Sequence, residues 1–169
     1  MPIQNVEDLF VAMLSHLHNV ESRLLTGVQE LSQVVQDKDI KQAVETRIFL
    51  TKQDINNIEE CFRILGKQPV KPTSRFAEVW VEDLRRELSE IQPPVLKTLY
   101  ALGALRQIHN LHIAEYTSLI IMADLMHNLP VMTLLERNLE DKVMFINRTD
   151  ALIREIGKTV IAERLKKAA

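Results

Sequence analysis

The stretch LFVAMLSHLHNVESRLLTGVQELSQVV, residues 9–35, decides the fold. Taken in alternating steps of four and three, it reads Phe10, Leu14, Leu17, Glu21, Leu24, Val28, Leu31 and Val35. Those steps trace the seam of a helix packed in a bundle, whereas a half-buried strand alternates every second residue. Every position on the seam is apolar except Glu21. The spacing predicts a helix over about residues 5–36 with one carboxylate buried near its middle.

The same test extends outward along the chain. A second helix over about residues 38–66 has the seam Val44, Ile48, Thr51, Ile55, Ile58, Phe62 and Leu65, flanked by Lys52. Asp37 or Asp39 is its N-cap candidate and Gly66 its C-terminal stop. Residues 67–73 contain Pro69 and Pro72 and read as a connection to a shorter amphipathic helix, about 74–91, with Phe76, Trp80 and Leu84. Pro93 and Pro94 then open a long helix with the seam Leu102, Leu105, His109, His112, Tyr116, Leu119, Ala123 and Met126. After a break at residues 128–130, the last helix carries Leu135, Leu139, Lys142, Ile146, Thr149, Ile153, Ile156 and Val160. The expected fold is all-α, a single domain over residues 1–169. It is an up-down four-helix bundle with a short helix between the second and third long ones, as in ferritin-like topologies.

Composition narrows the function classes. Of 169 residues, 46% are hydrophobic and only 4 are Gly, which suits a packed helical core and opposes disorder or a turn-rich β fold. The net charge of −2 gives no overall attraction to nucleic acid or an anionic membrane. The lysines at 166 and 167 read as a solvated cap on the last helix. A lone cysteine, Cys61, forms neither an intramolecular disulfide nor a multi-cysteine zinc site, and suits a reducing, cytoplasmic compartment. Residues 1–14 contain Glu7 and Asp8 and read as neither signal peptide nor membrane span.

Chemistry is concentrated where the seams turn polar. Glu21, Lys52, His109, His112 and Lys142 fall near mid-helix on the long helices, where they meet in the bundle centre. Uncompensated burial of a charge costs several kcal/mol, so these groups must pair, bind something or reach water. Bundle centres are also where carboxylate-bridged metal pairs are built, from single glutamates and Glu-x-x-His motifs.

The chain resembles the bacterial YciE/YciF-type ferritin-like proteins, associated with stress-induced operons. The resemblance spans nearly the whole sequence. It rests on Val6-Glu7-Asp8-Leu9-Phe10, Leu14-Ser15 and Val20-Glu21, on Ile113-Ala114-Glu115-Tyr116 and Ser118-Leu119, and on Leu134-Leu135, Leu139-Glu140-Asp141 and Thr149-Asp150. It implies a ferritin-like bundle, often dimeric, with a potential di-iron carboxylate site and no established biochemical activity. Several expected ligands are missing. Glu21 keeps the first carboxylate, but in a gapless comparison Phe49 and Lys52 replace the second helix's Glu-x-x-His, and His109 and His112 stand at family acids. On the last helix Lys142 follows Glu140-Asp141, and Ile146 replaces a downstream acid.

The resulting expectation is a non-enzymatic, metal-free homodimer without cofactor, catalytic residue, nucleic-acid partner or membrane partner. In it Lys52 and Lys142 neutralise Glu21, and His109 and His112 complete the network. The alternative is a metal-dependent oxidase or iron-handling protein, with iron or zinc held by Glu21, His109, His112 and Glu140. His16 and His18 point to different faces of the first helix. Tyr116 is assigned to packing. The apolar face around Phe76, Val79 and Trp80 either covers the bundle or meets another subunit.

Overall fold

A computed structural model of the chain describes residues 3–35, 38–71 and 75–168, with the backbone alone at 34, 39, 163–165, 167 and 168. Five helices follow one another: α1 (Val6–Val34), α2 (Lys38–Leu65), α3 (Phe76–Glu90), α4 (Pro94–Leu125) and α5 (Leu129–Ala168). No strand occurs among the described residues. The expected cap Asp37, the side chain of Asp39, and Pro72 lie outside the description.

Local sequence sets most of the helix ends. Asn5 caps α1 by accepting a hydrogen bond from the Asp8 amide at 2.8 Å, and the Gln4 amide donates back to the Asp8 carboxylate at 3.1 Å. α2 stops at Gly66, whose φ of 62° permits the closing pair Lys67 N–H to Phe62 O and Gly66 N–H to Arg63 O. α4 ends in the same double closure, Asn128 N–H to Ala123 O and His127 N–H to Asp124 O. There the left-handed position, φ 54°, is taken by His127.

The four long helices form a closed square in which α1 packs on α2 and α4, and α5 packs on the same two. Neighbours are antiparallel. The N-terminal half of α1 therefore shares a core with the C-terminal halves of α2 and α4 and the start of α5, through Leu14, Leu17, Ile58, Phe62, Leu119 and Leu135. At the other end Leu24, Leu31, Val44, Leu102 and Leu105 build a second core. Because α2 and α4 run the same way, the chain must return along the bundle between them. α3 makes that return. Its 15 residues, about 22 Å of helix, run beside α1 with Arg23 on Glu78 and Arg85 on Glu30. It buries Ala77, Val81 and Leu84 against α1 and α4, lays Trp80 half-buried over Gly27, and leaves Phe76 and Val79 exposed.

The seams of α1 and α4 are those expected, whereas those of α2 and α5 keep Val44, Thr51, Ile58, Leu135, Lys142, Ile146 and Thr149 but shift by one residue at single positions between them. On α2 the buried line is Ile40, Val44, Arg47, Thr51, Asp54, Ile58 and Cys61, so Ile48 and Ile55 flank the core. On α5 the line passes through Asn138 with Leu139 at its side. At Arg47, Asp54 and Asn138 the inward position is polar and its neighbour apolar, whereas Cys61 and Phe62 are both buried. No helix of the described residues is long and apolar enough to cross a membrane.

Candidate functional site

Between the two apolar cores lies a layer of polar side chains. Glu21 comes from α1, Arg47, Thr51 and Asp54 from α2, His109 and His112 from α4, and Asn138 and Lys142 from α5, all fully buried. Each is on its helix's seam, so the fold that buries the leucines also buries these groups. The formal charges of Glu21 and Asp54 are balanced by those of Arg47 and Lys142.

Lys142 is the hub. Its Nζ lies 2.6 Å from Glu21 Oε1 and donates to Asp54 Oδ2 at 2.5 Å. Arg47 donates through Nη2 to the same Asp54 oxygen and through Nε to Thr51 Oγ1 at 2.9 Å. Tyr116 donates to Glu21 Oε1 at 3.1 Å and accepts from Asn138 Nδ2 at 3.2 Å. That amide also donates to the Asp54 backbone carbonyl at 3.0 Å, while Asn138 Oδ1 accepts from Asn57 at 2.7 Å. Tyr116 is thus a network member as well as a packing residue.

The electrostatics follow from this geometry. Burial pushes the Glu21 carboxyl up, but Lys142, His112 and Arg47 outweigh it and hold Glu21 well below the usual carboxylate range. Asp54 moves upward, because burial and the Glu21 charge prevail over Lys142 and Arg47. Burial, followed by Lys142 and Arg47, holds His109 well below the normal histidine value. Its ring is therefore neutral, stacked on Phe145 at 4.4 Å, with Nδ1–H donating to Leu105 O at 2.6 Å. His112 Nδ1 stands 3.1 Å from Glu21 Oε1. Burial and the two carboxylates push the Tyr116 hydroxyl well above its usual value, keeping it a donor.

The structure brings together Glu21, His109, His112 and Lys142 but excludes two expected partners. Lys52 is exposed, because the inward positions of α2 are 47, 51 and 54, and Arg47 takes the role assigned to it. Phe49 is exposed for the same reason, so the second-helix ligand positions of the gapless comparison are out of register with the core. Glu140 is also exposed, two residues before Lys142 and on a different face of α5. The four-residue metal site Glu21, His109, His112 and Glu140 is therefore not assembled. Arg47 and Asp54 were missed because Ile48 and Ile55 beside them satisfy an apolar count.

The residues present do not fit a di-iron centre. The point between the Glu21 and Asp54 carboxylates, where a bridging cation would sit, is taken by the Lys142 ammonium. No group of three or more His, Cys, Asp or Glu among the described residues is arranged to hold a metal ion. Cys61 adds no chemistry: burial, with Glu60, pushes its thiol up to about 12.

His16 and His18 do part to different neighbours. His16 Nδ1 faces Glu115 of α4 at 3.3 Å, and His18 Nε2 faces Glu59 of α2 at 3.2 Å.

Comparison with known proteins places this geometry in a family. Protein YciF of Escherichia coli K12 is 21% identical over 160 residues, covering 94% of this chain and 96% of that protein. The crystal structure of the E. coli stress protein YciF superimposes with a TM-score of 0.85 at 18% identity, covering 92% of this chain and 99% of that one. YcfI from Rhodopseudomonas palustris gives 0.83 at 18% identity over 88% and 94% of the two chains. A Xanthomonas campestris protein gives 0.73 at 16% identity over 98% and 100%. At such identities the structural likeness establishes the fold alone. The model of a domain of unknown function, DUF892, matches residues 5–165, and the chain belongs to that YciF-type family.

Proposed function

We propose that this protein is a non-enzymatic, metal-free structural member of its family, acting as a homodimer in the cytoplasm during a bacterial stress response. Residues 1–169 act as one ferritin-like domain, in which an ion network replaces the family's di-iron site. The observation that carries this reading is the Lys142 ammonium lodged between Glu21 and Asp54, supplying the positive charge that a metal otherwise supplies to paired carboxylates. A bundle with one long crossover between its second and third long helices is also the topology of ferritin-like proteins. The alternative metal-dependent reading loses a ligand with the exposed Glu140.

The test is metal content by mass spectrometry on protein purified without chelator, repeated after anaerobic incubation with ferrous iron and with zinc. Metal far below one per chain, with no acceleration of ferrous oxidation, is the expected result. Stoichiometric metal that is lost on Glu21→Ala or His109→Ala overturns the proposal in favour of the metal-dependent reading. Sedimentation tests the dimer: a monomeric mass rejects it.

A further inference from the structure

Polar links between α1 and α4 occur at two depths. Tyr116 and His112 meet Glu21 in the fully buried centre, whereas His16 and Glu115 meet at the rim, with side chains 29% and 21% exposed. The rim pair is in reach of water and still coupled to the interior. Glu115 Oε1 lies 3.3 Å from His16 Nδ1, and Glu115 Oε2 is buried without a protein hydrogen-bond partner. The charged or titratable groups acting on this pair are Glu21 of α1, which acts on Glu115, and His112 of α4, which acts on His16. α3 and α5 also pack on α4 but place no described charged side chain in contact with Glu115.

We propose that His16 and Glu115 form a proton-operated latch on the α1–α4 seam. With its proton in place, the Glu115 carboxyl faces His16 as a neutral group and the seam stays closed. Release of that proton to solvent sets a second carboxylate charge against Glu21, with no lysine or arginine among the described residues in contact with Glu115, and the seam loosens. Burial and then the Glu21 charge push the Glu115 carboxyl up to about 7, so the proton is exchanged near neutrality. Burial and His112 lower His16, which therefore does not take up the proton as an imidazolium.

The sign follows from linkage. A carboxyl at about 7 in the closed seam and near 4.5 once released favours the closed form at low pH and loses that preference as pH rises through 7. Between pH 6 and 8 this closed preference falls by at most about tenfold, less the opposite contribution of His16.

Two measurements on the full chain test the latch. Amide exchange across residues 12–20 and 109–119, normalised to intrinsic rates, is followed from pH 6 to 8 in the wild type and in Glu115→Gln, which keeps the shape and stays neutral. Protection that falls by about threefold to tenfold in the wild type, and that stays level or rises in Glu115→Gln where the His16 contribution remains, is expected. Equal pH dependence in the two proteins overturns the proposal. Carbon-13 titration of the Glu115 carboxyl in the wild type needs no variant. A midpoint near 7 supports the latch, and one between 4 and 5 removes it.

Discussion

Glu21 and Lys142 touch at 2.6 Å although they belong to α1 and α5, diagonal helices that do not pack directly against each other. Direct packing joins only adjacent helices, so this contact ties the bundle across its middle. Lys142 also reaches Asp54 on α2, giving the α5 register a polar reference that leucine packing alone lacks.

The α2 register makes a sharp contrast between two cations five residues apart. Arg47→Met leaves Asp54 with one fewer buried partner and is expected to cost roughly 3 to 5 kcal/mol in denaturant unfolding. Lys52→Met, on the exposed face, is expected to stay within about 0.5 kcal/mol. Similar costs for the two variants contradict the observed register.

Acid sensitivity has two stages of the same sign. His109 is held well below its normal value, so the unfolded chain takes up a proton below about pH 6.5 that the native chain refuses, and stability falls with pH. The slope reaches at most about 1.4 kcal/mol per pH unit for that group. Glu21, depressed by its cationic neighbours, stabilises the fold above its unfolded value near 4.3 and loses that contribution as pH falls below it. Urea unfolding of Glu115→Gln, which removes the opposing contribution of that carboxyl, at pH 7.5, 6.5 and 5.5 checks the first stage. His109→Gln should flatten the slope there, and an unchanged slope assigns the sensitivity elsewhere.

His127 closes α4 in the left-handed region, at φ 54°, where a side chain is strained and glycine is not. His127→Gly is expected to stabilise the protein by about 1 kcal/mol, read as a raised urea midpoint with an unchanged slope. A lowered midpoint would show that the imidazole contributes more than the backbone strain costs.

Sequence periodicity revealed the helices more fully than the centre of the bundle. Proline pairs, Gly66 and the ends of the apolar seams mark the element boundaries through local backbone chemistry, which a single sequence carries. On α1 and α4 the leucines and valines one and two turns to either side of Glu21, His109 and His112 keep the seam in register through the polar positions, although Val20 and Ile108 beside them are also buried. On α2, Ile48 and Ile55 sit one position from Arg47 and Asp54, and on α5 Leu139 sits beside Asn138. At Arg47, Asp54 and Asn138 an apolar count selects the wrong neighbour, because the inward residue is polar and an isoleucine or leucine follows it. The strict spacing 40, 44, 47, 51, 54, 58, 61 holds the correct seam, with Arg47 and Asp54 seven residues apart, two turns along one face. Which buried acid meets which buried base depends on helix order around the square, and that is a tertiary fact.

The most direct test of the central claim, that Lys142 supplies the charge a metal would otherwise supply, is a double-mutant cycle on Glu21 and Lys142. Glu21→Gln, Lys142→Met and the double variant are unfolded in denaturant with chelator and with added ferrous iron or zinc. Each single change should cost roughly 3 to 5 kcal/mol by stranding a buried charge. The double should cost less than the sum by about 1 to 3 kcal/mol, with metal making no difference to the wild type. Additive costs, or a wild type stabilised by metal, would contradict the account.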